Sequence, residues 1–101
     1  MTNVVISSAA RTAIGSFGRS LKDVSPSDLA ATAARAAMER AGLEPGQVDH
    51  VVFGNVIHTE RQDMYFGRVV GIKAGIPKEV PALTLNRLCG SGLQAVVTAT
   101  Q

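Results

Sequence analysis

The 101-residue sequence contains a single cysteine and no tryptophan, and aromatic residues make up only 4% of it. One thiol excludes an internal disulfide and a CxxC redox pair, and it is too few for a zinc cluster. With so few aromatic side chains, the core must be built from alanine, valine, leucine and isoleucine. A lone cysteine also fits a reducing compartment, and we expect the protein to be cytoplasmic.

Long apolar runs and long runs of one charge are also absent. No apolar stretch approaches the length that spans a membrane, and the N-terminus lacks the charged and apolar regions of a signal peptide. The formal net charge is +2, but the lysines and arginines are scattered and are not interleaved with aromatic residues. Nucleic acid is therefore not an expected partner. A mildly basic surface would still suit a phosphorylated small molecule.

The residues that are present predict one folded α/β domain. Hydrophobic residues make up 46% and charged residues 18% of the chain, and no tract has low complexity. Three short apolar segments, 3–9, 50–57 and 79–86, predict buried strands. Helical segments alternate with them, and this order favours parallel strands joined by crossover helices. No linker or internal repeat divides the chain, so we interpret residues 1–101 as one unit.

The first predicted helix has clear start and end signals. Ser25 is placed to cap it, Pro26 suits its first position, and Asp28 is spaced like the acid of a capping box. Gly42 is expected to end it, with Leu43 available for the hydrophobic contact that accompanies such a cap. The helix is predicted to have a solvated face and an apolar face. The solvated face comprises Asp28, Thr32, Arg35 and Glu39. The apolar face comprises Leu29, Ala33, Ala36 and Ala37.

Two further helices are predicted, and the last one is unusual. The second lies within 61–75, where Met64, Val69 and Ile72 recur at loosely helical spacing. The third starts at Gly90 and contains no charged residue up to the end of the sequence. A helix that is apolar nearly all round belongs inside a larger structure. We therefore expect a further layer to cover it, supplied by later sequence or by a second subunit.

The single cysteine, Cys89, is the main candidate for chemistry. A lone cysteine is more often a small buried hydrophobic residue than a catalyst. Here, however, it follows a predicted strand, where open α/β sheets build their sites, and it precedes a helix N-terminus, which favours a thiolate. Gly90 and Gly92 leave room for a substrate carbonyl near the sulfur, and a thiolate is a good nucleophile toward acyl groups.

The same glycines permit a second interpretation. Gly90, Gly92 and Ala95 match the G-x-G-x-x-A pattern of dinucleotide-binding folds. The acidic residue that this pattern requires, about 20 positions downstream, would fall beyond the sequence. In addition, Arg-Leu-Cys separates the strand from the first glycine, where the pattern needs a tight turn. The dinucleotide interpretation is therefore the weaker one.

Three segments together resemble the thiolases, the family of acetyl-CoA acetyltransferases and 3-ketoacyl-CoA thiolases. NRLCGSGLQA (86–95) is similar to the nucleophile motif of that family, RTAIGSFGRSL (11–21) to its N-terminal signature, and VDHVVFGNV (48–56) to a strand that ends in Gly-Asn. The segments occur in the family's order and span essentially the whole chain. Arg19 stands where the family usually has glycine, and we expect this difference to affect only a loop.

The resemblance implies a fold and a reaction. The family fold has two similar α/β halves in five layers, αβαβα, and this chain would supply the first strands and helices of the N-terminal half. Cys89 would attack an acyl-CoA thioester, form an acyl-enzyme and release CoA. A second acyl-CoA would then give a 3-ketoacyl-CoA by Claisen condensation, and thiolysis is the reverse. Coenzyme A thioesters are thus the expected substrates, with no permanently bound cofactor and no metal.

The resemblance also implies a homo-oligomer and an incomplete site. The family forms dimers or tetramers, and the strand before the nucleophile, here 82–86, commonly lies at the dimer contact. The family further uses a second cysteine, a histidine in Gly-His-Pro and an Asn-Glu-Ala-Phe segment, none of which occurs here. Residues 1–101 would then be an incomplete N-terminal domain that ends just after the nucleophile helix, inactive by itself. The alternative is a non-catalytic, truncated interaction module that associates through its exposed apolar helix.

The remaining polar candidates are given no catalytic role. His50 is expected to begin a strand and His58 to lie in the loop after it, and neither adjoins a proline or an evident partner. Glu60 and Asp63 are interpreted as a solvated loop face and not as a catalytic dyad. Gln62 lies in a region that lines the rim of the active site in thiolases.

Overall fold

Helices and strands alternate in the structure, a computed structural model that describes residues 3–101. The elements are, in chain order, α1 (Pro26–Ala41), a 3₁₀ turn (Pro45–Gln47), β1 (Val51–Gly54), a second 3₁₀ turn (Arg61–Tyr65), α2 (Phe66–Lys73), β2 (Ala82–Leu85) and α3 (Ser91–Ala99). The two strands pair in parallel, which confirms the predicted α/β class. Within residues 3–101, none of these helices has the length and apolar character needed to cross a membrane.

Helix α1 begins and ends where the sequence predicts. Ser25 is its N-cap and Pro26 its first residue, and Gly42 follows it in the left-handed conformation with φ 69°. The N–H groups of Gly42 and Leu43 donate to the carbonyls of Glu39 and Met38, at 3.0 and 2.9 Å, which completes a Schellman end. The predicted capping box is wrong, because the Asp28 carboxylate instead accepts a hydrogen bond from Lys73 Nζ at 2.8 Å.

The buried apolar face of α1 is on a different side of the helix from the predicted one. The solvated face is confirmed, since all four of its residues are exposed. The core-facing stripe, however, comprises Ala30, Ala31, Ala34 and Met38. Leu29, Ala33, Ala36 and Ala37 are only partly buried and do not belong to the core cluster. In an alanine-rich helix many stripes are apolar, so only the packing partner, here α2, selects the face that is buried.

The sheet separates two helical layers. Val51 pairs with Ala82 and Gly54 with Leu85 in the parallel register. The side chain of Val51 faces α2 and approaches Gly71, whereas Gly54, three residues further along β1, faces α3. Because side chains alternate along a strand, α2 and α3 lie on opposite faces of the sheet. Both strands are shorter than the predicted segments 50–57 and 79–86.

Helix α2 packs on the sheet through its glycines. A Cβ placed on Gly67 would lie 2.8 Å from the carbonyl oxygen of Leu83, and one on Gly71 would lie 3.4 Å from Val51 Cγ2. The predicted helix within 61–75 is confirmed over Phe66–Lys73, after a 3₁₀ turn. Of the three residues whose spacing predicted the helix, Met64 and Ile72 are exposed and Val69 is partly buried. The buried face instead carries Phe66, Val70 and Ala74. The close approach of the two glycines to the sheet decides which face is buried.

The predicted first strand, 3–9, is wrong. These residues form no ladder with the rest of the described chain, and Val4, Val5 and Ile6 are 60, 80 and 77% exposed. A strand needs a partner backbone, and β1 and β2 pair only with each other in this sheet. The apolar, β-branched composition of the segment therefore predicted a strand without revealing that no described residue pairs with it.

Candidate functional site

Cys89 lies in the turn that joins β2 to α3. Strand β2 ends at Leu85, and the N-cap of α3 is Gly90, so the cysteine is the residue directly before the cap. Its thiol is free and exposed to solvent. Both strands end on this side of the sheet, where parallel α/β sheets build their sites. The predicted position of Cys89, between a strand and a helix N-terminus, is thus confirmed, whereas its catalytic role stays a prediction.

The backbone before Cys89 adopts an uncommon conformation. Leu88 has φ 48° and is the one positive-φ residue other than glycine among residues 3–101 that the structure describes. Holding a side-chain-bearing residue there costs about 1–3 kcal/mol, so surrounding contacts must maintain it. Two backbone hydrogen bonds close the turn: Gly90 N–H donates to the Arg87 carbonyl and Ser91 N–H to the Leu88 carbonyl, each at 3.0 Å.

Ser91 supports this turn from inside the protein. Its side chain is buried, with only 5% of the residue exposed. The hydroxyl Oγ accepts a hydrogen bond from the Arg87 N–H at 2.8 Å and donates one to the Leu88 carbonyl at 2.7 Å. A single hydroxyl therefore fixes the two residues that precede Cys89.

Asn86 holds the same turn from the strand side. Its Oδ1 accepts a hydrogen bond from the Leu88 N–H at 2.9 Å, and its Nδ2 lies 3.5 Å from the Val56 carbonyl. Arg87 adds a hydrogen bond from its guanidinium to Gln94 on α3. The polar side chains before Cys89 therefore tie the turn to β2, to the loop after β1 and to α3.

Gly54, at the end of β1, lies in close contact with Ser91, the first residue of α3. A Cβ added at this position would lie 2.8 Å from Ser91 Cβ and 2.9 Å from the Ser91 carbonyl carbon and oxygen. Real Cβ atoms do not approach other atoms so closely, so only glycine lets the start of α3 rest on the end of β1.

The electrostatic environment of the thiol is that of a helix N-terminus. The N–H groups of Cys89, Gly92 and Leu93 have no hydrogen-bond acceptor among residues 3–101. Helix α3 has no acidic residue in its first turn, and the aligned peptide dipoles place about half a positive charge at its start. A negative charge on an acceptor atom within hydrogen-bond reach of these N–H groups would therefore be stabilised.

An open groove of about 390 Å³ begins beside the cysteine and is lined by Arg87, Gly90, Leu93, Gln94 and Val97. It combines polar groups next to the turn with apolar side chains further along α3. A second cleft, of about 250 Å³, lies between the C-terminal end of α1 and Pro45 and shares no residue with the cysteine turn. The first groove is the one that a molecule bound near Cys89 could use.

The other polar candidates lie in structural roles or on the surface. His50 precedes β1 and His58 lies in the following loop, and both are exposed. No group of three or more histidine, cysteine, aspartate or glutamate side chains within residues 3–101 is arranged to hold a metal ion. Gln62 donates a hydrogen bond to the Glu60 carboxylate and does not join the cysteine turn.

The interpretation of Asp63 as part of a solvated loop face is wrong. The residue is 1% exposed, and its Oδ2 accepts hydrogen bonds from the Thr59 N–H at 2.9 Å, the Thr59 hydroxyl at 3.1 Å and the Glu60 N–H at 3.0 Å. Burial raises the pKa of the Asp63 carboxyl, but these hydrogen bonds, assisted by nearby His58, outweigh burial and hold the pKa below its ordinary value. Asp63 therefore organises the loop between β1 and α2, and the expectation that it forms no catalytic dyad with Glu60 stays a prediction.

Sequence comparison finds known relatives over the whole chain. Residues 4–101 match the family model described as "Thiolase, N-terminal domain". The chain is 58% identical over 98 residues to the beta-ketothiolase BktB of Cupriavidus necator, covering 97% of this chain and 25% of that protein. It is 45% identical over 101 residues to the mitochondrial 3-ketoacyl-CoA thiolase of Homo sapiens, covering 100% and 25%. The chain thus spans about a quarter of the length of the curated relatives it matches.

Structural comparison extends the similarity to the fold. The human mitochondrial 3-ketoacyl-CoA thiolase, crystallised in complex with CoA, superposes with a TM-score of 0.88 and 47% identity, covering 91% of this chain and 23% of that one. The Bacillus anthracis acetyl-CoA acetyltransferase superposes with a TM-score of 0.90 and 40% identity, covering 98% and 25%. The arrangement of strands and helices described above is shared with both.

Proposed function

This chain belongs to the thiolase family, and from that membership we propose that Cys89 accepts the acyl group in a thiolase-type acyltransferase. Its elements are the first strands and helices of the layered αβαβα fold. The observation that carries the proposal is the position of the thiol, exposed and directly before the cap of α3. The dinucleotide-binding interpretation receives no support from the relatives.

The proposed first step is the transfer of an acyl group to sulfur. The Cys89 thiolate attacks the carbonyl carbon of an acyl-CoA thioester, and a new C–S bond forms as the carbonyl oxygen becomes an oxyanion. Unpartnered N–H groups at the start of α3 favour that negative charge. When the oxyanion collapses, the bond to the CoA sulfur breaks. The proton that Cys89 gave up ends on the departing CoA thiol.

The proposed second step joins two acyl groups. A carbanion formed on a second acyl-CoA attacks the acyl-cysteine, which releases Cys89 and gives a 3-ketoacyl-CoA. Thiolysis of a 3-ketoacyl-CoA by CoA runs through the same intermediate in reverse. This chain has one cysteine and two histidines, neither histidine lying at the turn, so the groups that move protons come from outside these residues.

The substrates, assembly and location belong to the same proposal. Relatives named as 3-ketoacyl-CoA thiolase and acetyl-CoA acetyltransferase support coenzyme A thioesters as substrates, with no permanently bound cofactor. A dimer or tetramer is proposed with the region around β2 at the contact, where Leu83 is 40% exposed. A cytoplasmic location is proposed from the cysteine usage alone.

Thiolysis of a 3-ketoacyl-CoA by CoA tests the proposed function. In the intact protein, Cys89→Ser should lower kcat by at least about 10³-fold, because the hydroxyl is a far weaker nucleophile than the thiolate. Ser20→Ala, at an exposed position in the loop before α1, is the matched control and should keep wild-type activity. Unchanged thiolysis in Cys89→Ser would contradict the proposal.

The interaction-module alternative has no observation in its favour. The two curated relatives described above are thiolases, 58% and 45% identical to this chain. The turn around Cys89 is built from buried and hydrogen-bonded groups. A well-folded intact protein whose Cys89 never carries an acyl group would restore that alternative.

A further inference from the structure

The turn before Cys89 depends on a conformation that leucine does not adopt readily. Leu88 lies in the left-handed region, with φ 48°, and its carbonyl and N–H groups point in directions fixed by that angle. Any relaxation of Leu88 toward the common negative-φ regions would rotate the peptide that carries Cys89. The position of the thiol is thus set by whatever holds Leu88.

The Leu88 carbonyl and the Leu88 N–H are held by different elements. On the helix side, the carbonyl accepts hydrogen bonds from the Ser91 N–H and the Ser91 hydroxyl. On the strand side, the N–H donates to Asn86 Oδ1 at 2.9 Å. Ser91, the first residue of α3, is buried, whereas Asn86 is exposed. A change at Asn86 therefore alters the turn without opening the core.

We propose that Asn86 is a positioning residue for Cys89: its side-chain carbonyl holds Leu88 in the left-handed conformation and so aims the thiol at the acyl carbon. The proposal rests on the proposed function of Cys89. An asparagine side chain that accepts from the N–H two residues later forms a local turn, and serine does the same more weakly. Alanine cannot form this turn.

The expected effect is on acyl transfer and not on substrate binding. Misplacing a reacting group by about 1 Å can cost on the order of 100-fold in rate. Loss of the hydrogen bond between the Leu88 N–H and Asn86 Oδ1 should therefore slow acylation by about 10- to 100-fold. The affinity for acyl-CoA should change by less than about twofold, because Asn86 is not part of the groove beside Cys89.

Rapid-quench measurement of acetyl transfer from acetyl-CoA to Cys89 in the intact protein tests the proposal. Asn86→Ala should lower the acylation rate, Asn86→Ser should give an intermediate rate, and the apparent KM and the Tm should stay near wild type. Asn3→Ala, at an exposed asparagine far from the turn in sequence, is the matched control.

A second substitution separates positioning from a general structural role. Glycine adopts positive φ without strain, so in a Leu88→Gly background the turn no longer depends on Asn86. Asn86→Ala should then slow acylation much less than it does in wild type. Equal slowing in both backgrounds, or slowing accompanied by a matching fall in Tm and acyl-CoA affinity, would overturn the proposal.

The two proposals fail in different ways. If wild-type protein acquires a thioester on Cys89 and Asn86→Ala acquires it at the same rate, only the role of Asn86 is refuted. If wild-type protein forms no thioester on Cys89, the proposed function is refuted, and the positioning role falls with it.

Discussion

Single side chains hold the backbone around Cys89 in place. The Ser91 hydroxyl and the Asn86 amide oxygen between them bind Arg87 and Leu88, the residues whose conformation sets the direction of the thiol. Asp63 has the same kind of role one loop away, where a single buried carboxylate oxygen gathers three donors. In both places a polar side chain replaces the regular hydrogen bonds of a helix or strand.

The ionised form of Asp63 should stabilise the folded protein at neutral pH. Its pKa in the folded state lies below the ordinary value, so its contribution is complete above about pH 4 and is lost as the pH falls through the folded-state pKa. Asp63→Asn in the intact protein should lower the free energy of unfolding at pH 7 by about 1–3 kcal/mol.

Urea denaturation at pH 7 and pH 3 measures this difference. The gap between wild type and Asp63→Asn should narrow as the pH is lowered from 7 to 3, because protonation of the carboxyl removes the charged acceptor that the folded state favours. Asp49→Asn, at an exposed aspartate before β1, should differ little from wild type at either pH. A gap for Asp63→Asn that is as large at pH 3 as at pH 7 would count against this role.

The sequence predicted the position of the cysteine but not the residues that hold it. Cys89 was found because its neighbours are glycines between an apolar strand and a charge-free helix, a pattern that can be read locally. Leu88, by contrast, has no composition signal for a positive φ, and nothing in the order of residues shows that the Ser91 hydroxyl turns back toward Arg87. Asp63 was placed on a solvated loop because its burial depends on the packing of that loop against α2.

Close contacts between elements, permitted by glycine, build the site at the scale of helices and strands. Gly54 lets the start of α3 rest on the end of β1, and Gly67 lets α2 lie against the carbonyl of Leu83. The thiol is therefore positioned relative to the sheet by how closely α3 can approach β1. Any atom added at Gly54 would push the whole first turn of α3, and Cys89 with it, away from the sheet.

Gly54→Ala and Gly92→Ala form a matched pair that tests this contact. In the intact protein, Gly54→Ala should lower the free energy of unfolding by about 1–3 kcal/mol through overpacking against Ser91. A Cβ on Gly92 would meet nothing within 4 Å, so Gly92→Ala should be neutral or stabilising by up to about 1 kcal/mol through its gain in helix propensity. Thermal unfolding compares the two, and equal destabilisation by both would contradict the close contact at Gly54.

Element boundaries were predictable where their causes are local. The Pro26 start and Gly42 end of α1 follow from capping chemistry within a few residues. The strand at 3–9 and the apolar face of α1 were predicted wrongly because pairing and packing are decided by distant parts of the chain. In α2 the buried face is marked by Gly67 and Gly71, residues that a search for large apolar side chains passes over.

At the scale of the whole molecule, apolar side chains on several segments lack cover within the described residues. They include Leu93 on the outer face of α3, which is 75% exposed, and Val5 in the 3–9 segment, which is 80% exposed. The charge-free sequence of α3 predicted such a surface. The chain spans about a quarter of the length of the curated relatives it matches.

The measurement that tests the account most directly is peptide mass spectrometry of the intact protein after brief exposure to acetyl-CoA and an acid quench. The account predicts one acetyl group on the peptide that contains Cys89, removed when free CoA is added before the quench and absent from Cys89→Ser. A Cys89 peptide that stays unmodified while acetyl-CoA is consumed, or an acetyl group that persists in Cys89→Ser, would contradict it.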